Sequence, residues 1–419
     1  MNSLRTVKGM HDILPEEMPK WHFLEETFRE LVDRFGYQEI RTPTVEPLEL
    51  FVRGIGEVTD IVEKEMYAFE DKGGARLALR PEGTASAIRS YIQHNIGGRQ
   101  PISKFYYIGP MFRRERPAKG RYRQFYQAGA ELIGVEEPTA DAEIIDMAVQ
   151  FVEALGIENV SVQINSLGDQ KTRPLFRDAL VEYFARDLDK LCPDCRRRLQ
   201  TNPLRVLDCK VPDCVETAKG APSVLDHLEG ESAAHFNELK RLLDENGTPY
   251  QVAKKMVRGL DYYTRTIFEI QGDSDTLGSQ ATIVGGGRYD NLVKDLGGKQ
   301  TPTIGFAFGI ERLLLMLGSG ASRSERPTIY VAGIGEGGLD RAVSLARTLR
   351  KAGNKIEVSY KEGSLRSQLK RADRYGSVIA IIAGEDEAAR GKVTWRNMKD
   401  GSQEEVSLSD LDKRLEAHK

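Results

Sequence analysis

The sequence predicts an α+β protein: an antiparallel sheet flanked by helices, interrupted by a helical insertion and followed by a separate small α/β domain. Three observations carry this prediction. Strand-like apolar segments succeed one another up to residue 133 and resume in 252–284. Residues 167–250 change to short, charged helical patterns around a cysteine cluster. Beyond residue 327, strand and helix patterns alternate. The limits read from these changes are 1–166 and 251–318 for the sheet-bearing core, 167–250 for the insertion, 319–327 for a linker and 328–419 for the last domain.

In chain order, Leu24, Phe28, Leu31, Val32 and Phe35 recur at helical spacing and Gly36 supplies the stop, so an amphipathic helix opens the chain. Gln38 to Arg41 reads as a strand running into Thr42-Pro43, where proline ends it or marks an edge. Leu77 to Leu79, Lys104 to Ile108 and Gln124 to Ile133 are further strands, the last two flanking a basic loop as a long hairpin. After the insertion, strand signals run over Val252 to Leu260, Thr266 to Gln271 and Thr282 to Val284, and lead to a predicted turn at Gly285-Gly286-Gly287. A helix follows from Gly309 to Leu317. Gly318 to Pro327 (GSGASRSERP) has the Gly, Ser and charge content of a linker. Thr328 to Ala332, Ile356 to Tyr360 and Val378 to Ala383 then read as strands, and Leu339 to Ala352 and Leu365 to Tyr375 as helices. That order predicts a largely parallel sheet.

A chain of 419 residues, 40% hydrophobic and 29% charged, is long enough for two or three globular domains. No apolar run reaches the roughly 18 to 20 residues that span a bilayer; the richest, Ile304 to Leu317, is interrupted by Glu311 and Arg312. The first residues are charged and turn-forming where a signal peptide needs an apolar stretch, so a cytoplasmic location is expected, with no membrane partner. A formal net charge of −3 excludes a general polycation, and any nucleic-acid contact must come from a local basic patch. Arg113 to Arg123 is such a patch, holding Arg113, Arg114, Arg116, Lys119, Arg121 and Arg123 against Glu115 alone.

The sequence around that patch is the most informative. Tyr107-Ile-Gly-Pro-Met-Phe-Arg-Arg-Glu-Arg116 and, across the loop, Arg123-Gln-Phe-Tyr-Gln127 place an arginine and a glutamate on one strand and a phenylalanine on the return strand. This arrangement resembles motif 2 of class II aminoacyl-tRNA synthetases. Gly305-Phe-Ala-Phe-Gly-Ile-Glu-Arg312 resembles motif 3, a glycine-bearing strand entering a helix, and the helix and strand ending at Pro43 resemble the degenerate motif 1. Met256-Val-Arg-Gly-Leu-Asp-Tyr-Tyr263, Leu79-Arg-Pro-Glu-Gly-Thr84 and Gln127 to Gly134 (QAGAELIG) narrow the resemblance to the histidyl enzymes of bacterial type, over nearly the whole chain.

The resemblance implies a class II core with a six-stranded antiparallel sheet, a helical insertion and a C-terminal anticodon-binding domain. The implied reaction is ATP-dependent ligation of L-histidine to histidine tRNA through an adenylate, by a homodimer whose subunits meet at motif 1. Two anions, a carboxylate and the α-phosphate, must be held together out of water, a task that suits arginine forks. Arg113 is assigned to one side of the α-phosphate and Arg258 to the other, as catalytic residues that also meet histidine. Glu115 is expected on the adenine amino group, Phe125 stacked on the base, and Arg121 and Arg312 on the outer phosphates of ATP, which arrives with Mg2+. Glu82, Gly83, Thr84 and Gln127 are assigned to the ammonium end of histidine. Glu131 and Tyr263 are assigned to its ring nitrogens, with Tyr262 and Tyr289 shaping the pocket. A site built on such polar contacts rejects apolar isosteres without editing. Arg116 is the expected tRNA contact, because Ala118 stands where some bacterial members carry glutamine. A regulatory paralogue of the same fold and another class II synthetase are the alternatives. The paralogue lacks the last domain and loses motif residues, whereas Arg113, Arg258 and Arg312 are intact here, and prolyl, threonyl and glycyl enzymes lack the arginine and tyrosine pair of 256–263.

All four cysteines lie in one stretch, Cys192-Pro-Asp-Cys195 followed by Cys209 and Cys214. In a cytoplasmic chain the pattern argues against disulfides and raises a structural zinc site. The first pair has ligand spacing and the second is looser. The insertion of this family does not require zinc for its fold, so both readings stand at this point.

Overall fold

The computed structural model describes residues 4–56, 59–272, 281–318 and 327–416. The chain forms two compact units, Met1–Arg323 and Ser324–Lys419. Apart from Pro327, the linker expected at 319–327 lies outside the described residues. Among the described residues no helix is long and apolar enough to cross a membrane.

The first unit is built on an eight-stranded sheet. Helix α1 (Met18–Arg34) buries Leu24, Phe28, Leu31 and Val32 of the predicted stripe together with Trp21, which was not expected, while Phe35 caps the helix half-buried and Gly36 follows with φ of 77°. Strands β1 (Gln38–Glu39), β2 (Val45–Pro47), helix α2 (Leu48–Ile55), β3 (Tyr67–Glu70), β4 (Arg76–Leu79) and helix α3 (Thr84–Gln93) follow. Next come the hairpin β5 (Ser103–Phe112) and β6 (Gln124–Ile133), helix α4 (Pro138–Ala154) and β7 (Ser161–Ser166). Only helices occupy the stretch up to β8 (Gln251–Val252): α5 (Thr172–Ala185), α6 (Pro193–Thr201), α7 (Pro212–Ala218) and α8 (Gly230–Asn246), with short 3-10 turns between them. Strands β9 (Thr264–Gln271) and β10 (Thr282–Arg288), helix α9 (Leu292–Asp295), β11 (Thr303–Gly309) and helix α10 (Ile310–Met316) complete the unit.

The strand order is β1-β5-β6-β11-β10-β9-β7-β8. Every pairing from β5 to β7 is antiparallel, which gives the six strands expected, and a two-residue parallel strand lies at each edge. Helices α1 and α4 cover one face. There Phe28 meets Tyr106, Phe151, Phe306 and Phe308 at ring separations of 5.9, 5.1, 6.3 and 5.0 Å. Strand alternation sends Phe306 and Phe308 into this core and leaves Gly305, Ala307 and Gly309 on the opposite face.

Two expectations need correction. Val252 to Leu260 is not a strand: pairing stops at Val252 and the chain turns. The apolar residues responsible, Met256, Val257 and Leu260, pack against a core cluster from a loop, held where Asn165 Nδ2 donates to the Met256 carbonyl at 2.9 Å. Gly285 to Gly287 form no turn either and lie in the middle of β10, paired on both sides. At Gly286 a Cβ would strike the Gly305 carbonyl and the Phe268 ring, so glycine is required by close packing.

The helical stretch is divided in its packing. Helices α5, α6 and α7 enclose their own core around Phe176, Leu180, Phe184 and Leu199. Helix α8 instead sends Phe236, Leu239 and Leu243 into the main core. The second unit has β12 (Thr328–Gly333), α11 (Gly338–Lys351), β13 (Ile356–Val358), α12 (Leu365–Arg374) and β14 (Ser377–Ala383), then α13 (Glu385–Ala389), β15 (Lys392–Asn397), β16 (Gln403–Ser407) and α14 (Leu411–Glu416). Strands β13, β12 and β14 are parallel, as the alternation predicted, while β15 and β16 add an antiparallel edge that the sequence reading did not anticipate.

One buried ion pair ties the elements of the first unit together. Arg288, the last residue of β10 and fully buried, donates from Nε to Asp141 Oδ2 of α4 at 2.8 Å. Its other nitrogens reach Asp290 Oδ1 at 3.1 Å and the carbonyls of Val135 and Glu137 at 3.0 and 3.1 Å. His235 Nε2 of α8 lies 3.0 Å from the other oxygen of Asp141. Burial alone would raise the Asp141 pKa, but Arg288 and His235 hold it below the usual carboxylate value. Arg288→Met should destabilise the first unit by about 3 to 5 kcal/mol, because it leaves Asp141 buried without its cation. Urea unfolding followed by circular dichroism measures this, and a loss within experimental error would show that the pair is dispensable.

Candidate active site

The open face of the sheet bears a cavity of about 980 Å³. Its floor is the small-residue side of β10 and β11, including Gly285, Gly305, Ala307 and Gly309. These residues leave room by having no bulk: a Cβ at Gly285 would fall on the Arg258 guanidinium, and one at Gly305 on the Glu131 carboxylate.

Of the residues assigned from sequence, Glu82, Thr84, Arg113, Glu115, Arg121, Phe125, Gln127, Arg258, Tyr262, Tyr263, Tyr289 and Arg312 line this cavity. Arg113 leaves the end of β5, donates from Nε to the Pro81 carbonyl at 2.9 Å, and stacks over the Phe125 ring with 5.2 Å to its centroid. Arg258 comes from the other side of β11, in the loop before β9, where it pairs with Glu269 and lies 5.6 Å from the Tyr263 ring centroid. Arg312, in the first turn of α10, donates to the Thr282 carbonyl at 2.6 Å. Arg121 pairs with Glu115 at 3.1 Å across the basic loop. Three assigned residues stand outside the lining. Arg116 is exposed on the loop. The Gly83 amide donates to Gln127 Oε1 at 3.0 Å, and a Cβ there would strike the Tyr107 ring, so its need for glycine is one of packing.

Glu131 lies beneath the cavity, 1% exposed. Its carboxylate accepts from Thr84 Oγ1 at 2.7 Å, from the Tyr107 hydroxyl at 3.2 Å and from the Tyr289 hydroxyl. Burial raises its pKa to about 8 despite those three donors, so at neutral pH the group holds a proton in the folded state. Glu82 is raised in the same direction by burial, although it accepts from the Thr84 and Ala85 amides at 2.6 and 2.8 Å in the first turn of α3. Tyr262, Tyr263 and Tyr289 form one wall, with ring separations of 4.7 to 6.3 Å.

Sequence reasoning missed several residues here. Glu269 of β9 holds Arg258 and accepts from Thr282 Oγ1 at 2.6 Å; the available signal was a lone carboxylate in an otherwise apolar strand segment. Glu311 accepts twice from the Tyr126 amide, at 2.9 and 3.1 Å, which fixes α10 to β6, and burial raises its pKa to about 7. The residues before α1 brace the basic loop: the Arg123 amide donates to the Gly9 carbonyl at 2.7 Å, and His11 meets Tyr122 edge-on at 5.0 Å. Nothing in the local sequence pattern pairs those two segments.

Comparison with known proteins gives concordant findings. Residues 9–313 match the sequence model of the family described as histidyl-tRNA synthetase, and residues 328–418 match that of the anticodon binding domain. A histidine–tRNA ligase of Syntrophotalea carbinolica is 48% identical over 99% of this chain and 98% of its own length. One from Thermodesulfovibrio yellowstonii is 50% identical over 97% and 96%. The crystal structure of an apo histidyl-tRNA synthetase from S. aureus superposes with a TM-score of 0.83 at 38% identity, covering 99% of this chain and all of that one.

The raised pKa of Glu131 carries a signed prediction. Between its usual value of 4.5 and about 8, the folded state keeps a proton that the unfolded state releases, so stability falls as pH rises through that window. Glu131→Gln carries no such proton. Its stability relative to the parent protein should therefore improve from pH 5 to pH 8, with a slope of roughly 1 kcal/mol per pH unit. A difference that stays flat in urea titrations at pH 5, 6.5 and 8 would mean that Glu131 is ionised throughout.

Proposed function

The chain belongs to the histidyl-tRNA synthetase family and ligates histidine to tRNA at the expense of ATP; on that premise we propose how its residues divide the work. Histidine binds in the polar pocket at the Tyr262, Tyr263 and Tyr289 wall, its ammonium held by Glu82, Thr84 and Gln127 and its imidazole by Glu131 and Tyr263. ATP enters as its magnesium complex along the Phe125 and Arg312 side. The adenine meets Glu115 and Phe125, and Arg121 and Arg312 take the outer phosphates. The histidine carboxylate then attacks the α-phosphorus and pyrophosphate leaves with the bonding electrons. In the second step a ribose hydroxyl at the 3′ end of the tRNA attacks the adenylate carbonyl and AMP departs.

The observation that carries this division is the convergence of Arg113 and Arg258 on one cavity from the two sides of β11. Two guanidinium groups so placed can flank the α-phosphate as it becomes pentacoordinate, with charge neutralised in a site from which water is displaced. Each is pre-positioned by a fixed partner: Phe125 and the Pro81 carbonyl for Arg113, Glu269 for Arg258. Arg116, exposed on the basic loop, is the proposed tRNA contact, and the last domain, residues 328–419, the reader of the anticodon. Cytoplasmic location and a homodimer complete the proposal. Relatives named as histidine–tRNA ligases match almost end to end, which favours the enzyme over the regulatory alternative.

Arg258→Ala should keep the fold and cut histidine-dependent pyrophosphate exchange at least 100-fold, about 3 kcal/mol of transition-state stabilisation. Near-normal exchange would remove Arg258 from the mechanism. A chain ending at Gly318 keeps every residue assigned to histidine and ATP. It should retain exchange while its KM for tRNA rises at least tenfold, since a second contact raises the effective concentration of the acceptor end. Gel filtration and circular dichroism control for misfolding, and unchanged charging by a folded fragment would overturn the anticodon assignment.

A further inference from the structure

The four cysteines meet in space. Cys192 precedes α6 and Cys195 lies in its first turn, Cys214 lies in the first turn of α7, and Cys209 comes from the loop between the two helices. Their sulfur atoms all lie within 4.8 Å of one another, with Cys192 Sγ and Cys209 Sγ 3.9 Å apart, and all four are free thiols. Tetrahedral coordination at a Zn–S distance of about 2.3 Å puts the sulfurs about 3.8 Å apart, whereas a disulfide needs about 2.05 Å. The cluster is therefore close to the spacing of a tetrathiolate site. Both helices begin with the same triplet, Pro-Asp-Cys, at 193–195 and 212–214, so two similar turns present their sulfurs to a common centre.

Backbone groups favour thiolates there. The Cys192 amide donates to Cys214 Sγ at 3.2 Å, the Cys195 amide to Cys192 Sγ at 3.4 Å and the Val211 amide to Cys209 Sγ at 3.5 Å. Such donors orient sulfur ligands and offset their charge. Arg198 of α6, which also pairs with Asp60 at 2.9 Å, is close enough to Cys195 and Cys209 for their charges to act on it, and so offsets part of the net charge of −2 that the centre would carry.

The loop enclosed by these ligands reaches the active site. Arg205 Nη2 donates to Asp261 Oδ1 at 2.8 Å and Asn202 Nδ2 to the same oxygen at 3.0 Å, and Asp261 stands between Arg258 and Tyr262 in the chain. Leu207, Asp208 and Lys210 line the cavity itself. The pairs at 192–195 and 209–214 bracket this loop, whose Pro203 and Val206 are buried and whose Leu204 packs against two core clusters, so fixing its two ends fixes its position.

We propose that Cys192, Cys195, Cys209 and Cys214 bind one structural zinc ion, and that this ion clamps residues 202–211 against Asp261 so as to position the Arg258 loop. Binding replaces four thiol protons with Zn2+, so four protons leave for each ion bound and the site weakens in acid. None of the four cysteines lines the cavity; the effect on the reaction rests on the function proposed above, through Arg258, which does line it.

The test uses full-length protein purified without chelator and under reducing conditions. Native mass spectrometry should show one zinc per chain. Protein stripped of metal and refilled with Co2+ should show the sulfur-to-cobalt charge-transfer and ligand-field absorption of a tetrahedral thiolate site. The Cys209→Ser, Cys214→Ser double variant should lose at least nine-tenths of the bound zinc. In hydrogen-exchange measurements its amides in 192–214 should exchange at least tenfold faster while those of the central sheet stay unchanged. Its KM for histidine in pyrophosphate exchange should rise more than its kcat falls. Reduced protein that carries no zinc and gives no tetrahedral cobalt spectrum overturns the site, without touching the ligase assignment. Zinc present, with exchange rates in 202–211 and KM both unmoved in the double variant, overturns the clamp.

Discussion

The Arg288–Asp141 pair is the constraint from which the catalytic unit is organised. Removing two charges from water costs several kcal/mol per ion, and the attraction offsets it only if the remaining donors and acceptors are satisfied. Here Asp290, two carbonyls and His235 complete the set. The pair therefore adds specificity more than stability. A slip of one residue in β10 would turn Arg288 to the other face of the sheet and strand Asp141, so the pair fixes register. That register sets Gly285 opposite Glu269 and brings the neighbouring Tyr289 to Glu131, while His235 ties α8 to the same point.

Given that register, the cavity is formed by subtraction. Strands that bury large rings on one face carry glycine or alanine on the other, and the vacated volume is taken by functional side chains rooted elsewhere. Gly285 makes way for Arg258, Gly305 for Glu131, and Gly129 and Gly83 for Tyr107. Carboxylates then hold the cations before any anion arrives, Glu269 on Arg258 and Glu115 on Arg121. Arg258 is thus held largely out of water and both guanidinium groups are oriented in advance, so little reorganisation would remain for the reaction proposed above.

Much of this was legible in the sequence, for identifiable reasons. Helix α1 and the β5–β6 hairpin announce themselves because burial on one side imposes a period on their residues. The arginines proposed for the nucleotide, Arg113, Arg121, Arg258 and Arg312, could be picked out because their motifs are contiguous, and they do line one cavity. Two misreadings share one cause, since side-chain pattern records burial and says nothing of backbone path. Met256, Val257 and Leu260 are half-buried and apolar, yet they project from a loop. Gly285 to Gly287 look like a turn, yet they are the narrowest part of a central strand. Glu311 and the Gly9 brace were invisible for a different reason: their partners lie more than 100 residues away in sequence, and no local pattern encodes a long-range hydrogen bond, while Glu269 left only the trace of a lone carboxylate in an apolar strand. The position of Glu131 beneath the pocket likewise depends on Tyr107 and Tyr289, which only the assembled sheet brings to it.

The strand order has a consequence for the birth of the protein. Strand β6 ends at Ile133, and its second neighbour, β11, begins about 170 residues later. At roughly 5 to 20 residues per second, a ribosome needs on the order of 10 to 30 s to deliver that partner. Throughout that interval the β5–β6 hairpin has an open edge whose residues Ala128 to Ile133 are apolar apart from Gly129 and Glu131. Such an edge invites pairing with other chains. Glu131, the one carboxylate in that run, is ionised while it is still exposed to water, and so acts as a gatekeeper against aggregation before the sheet closes over it. The same side chain thus serves the nascent chain by being charged and the finished pocket by being buried.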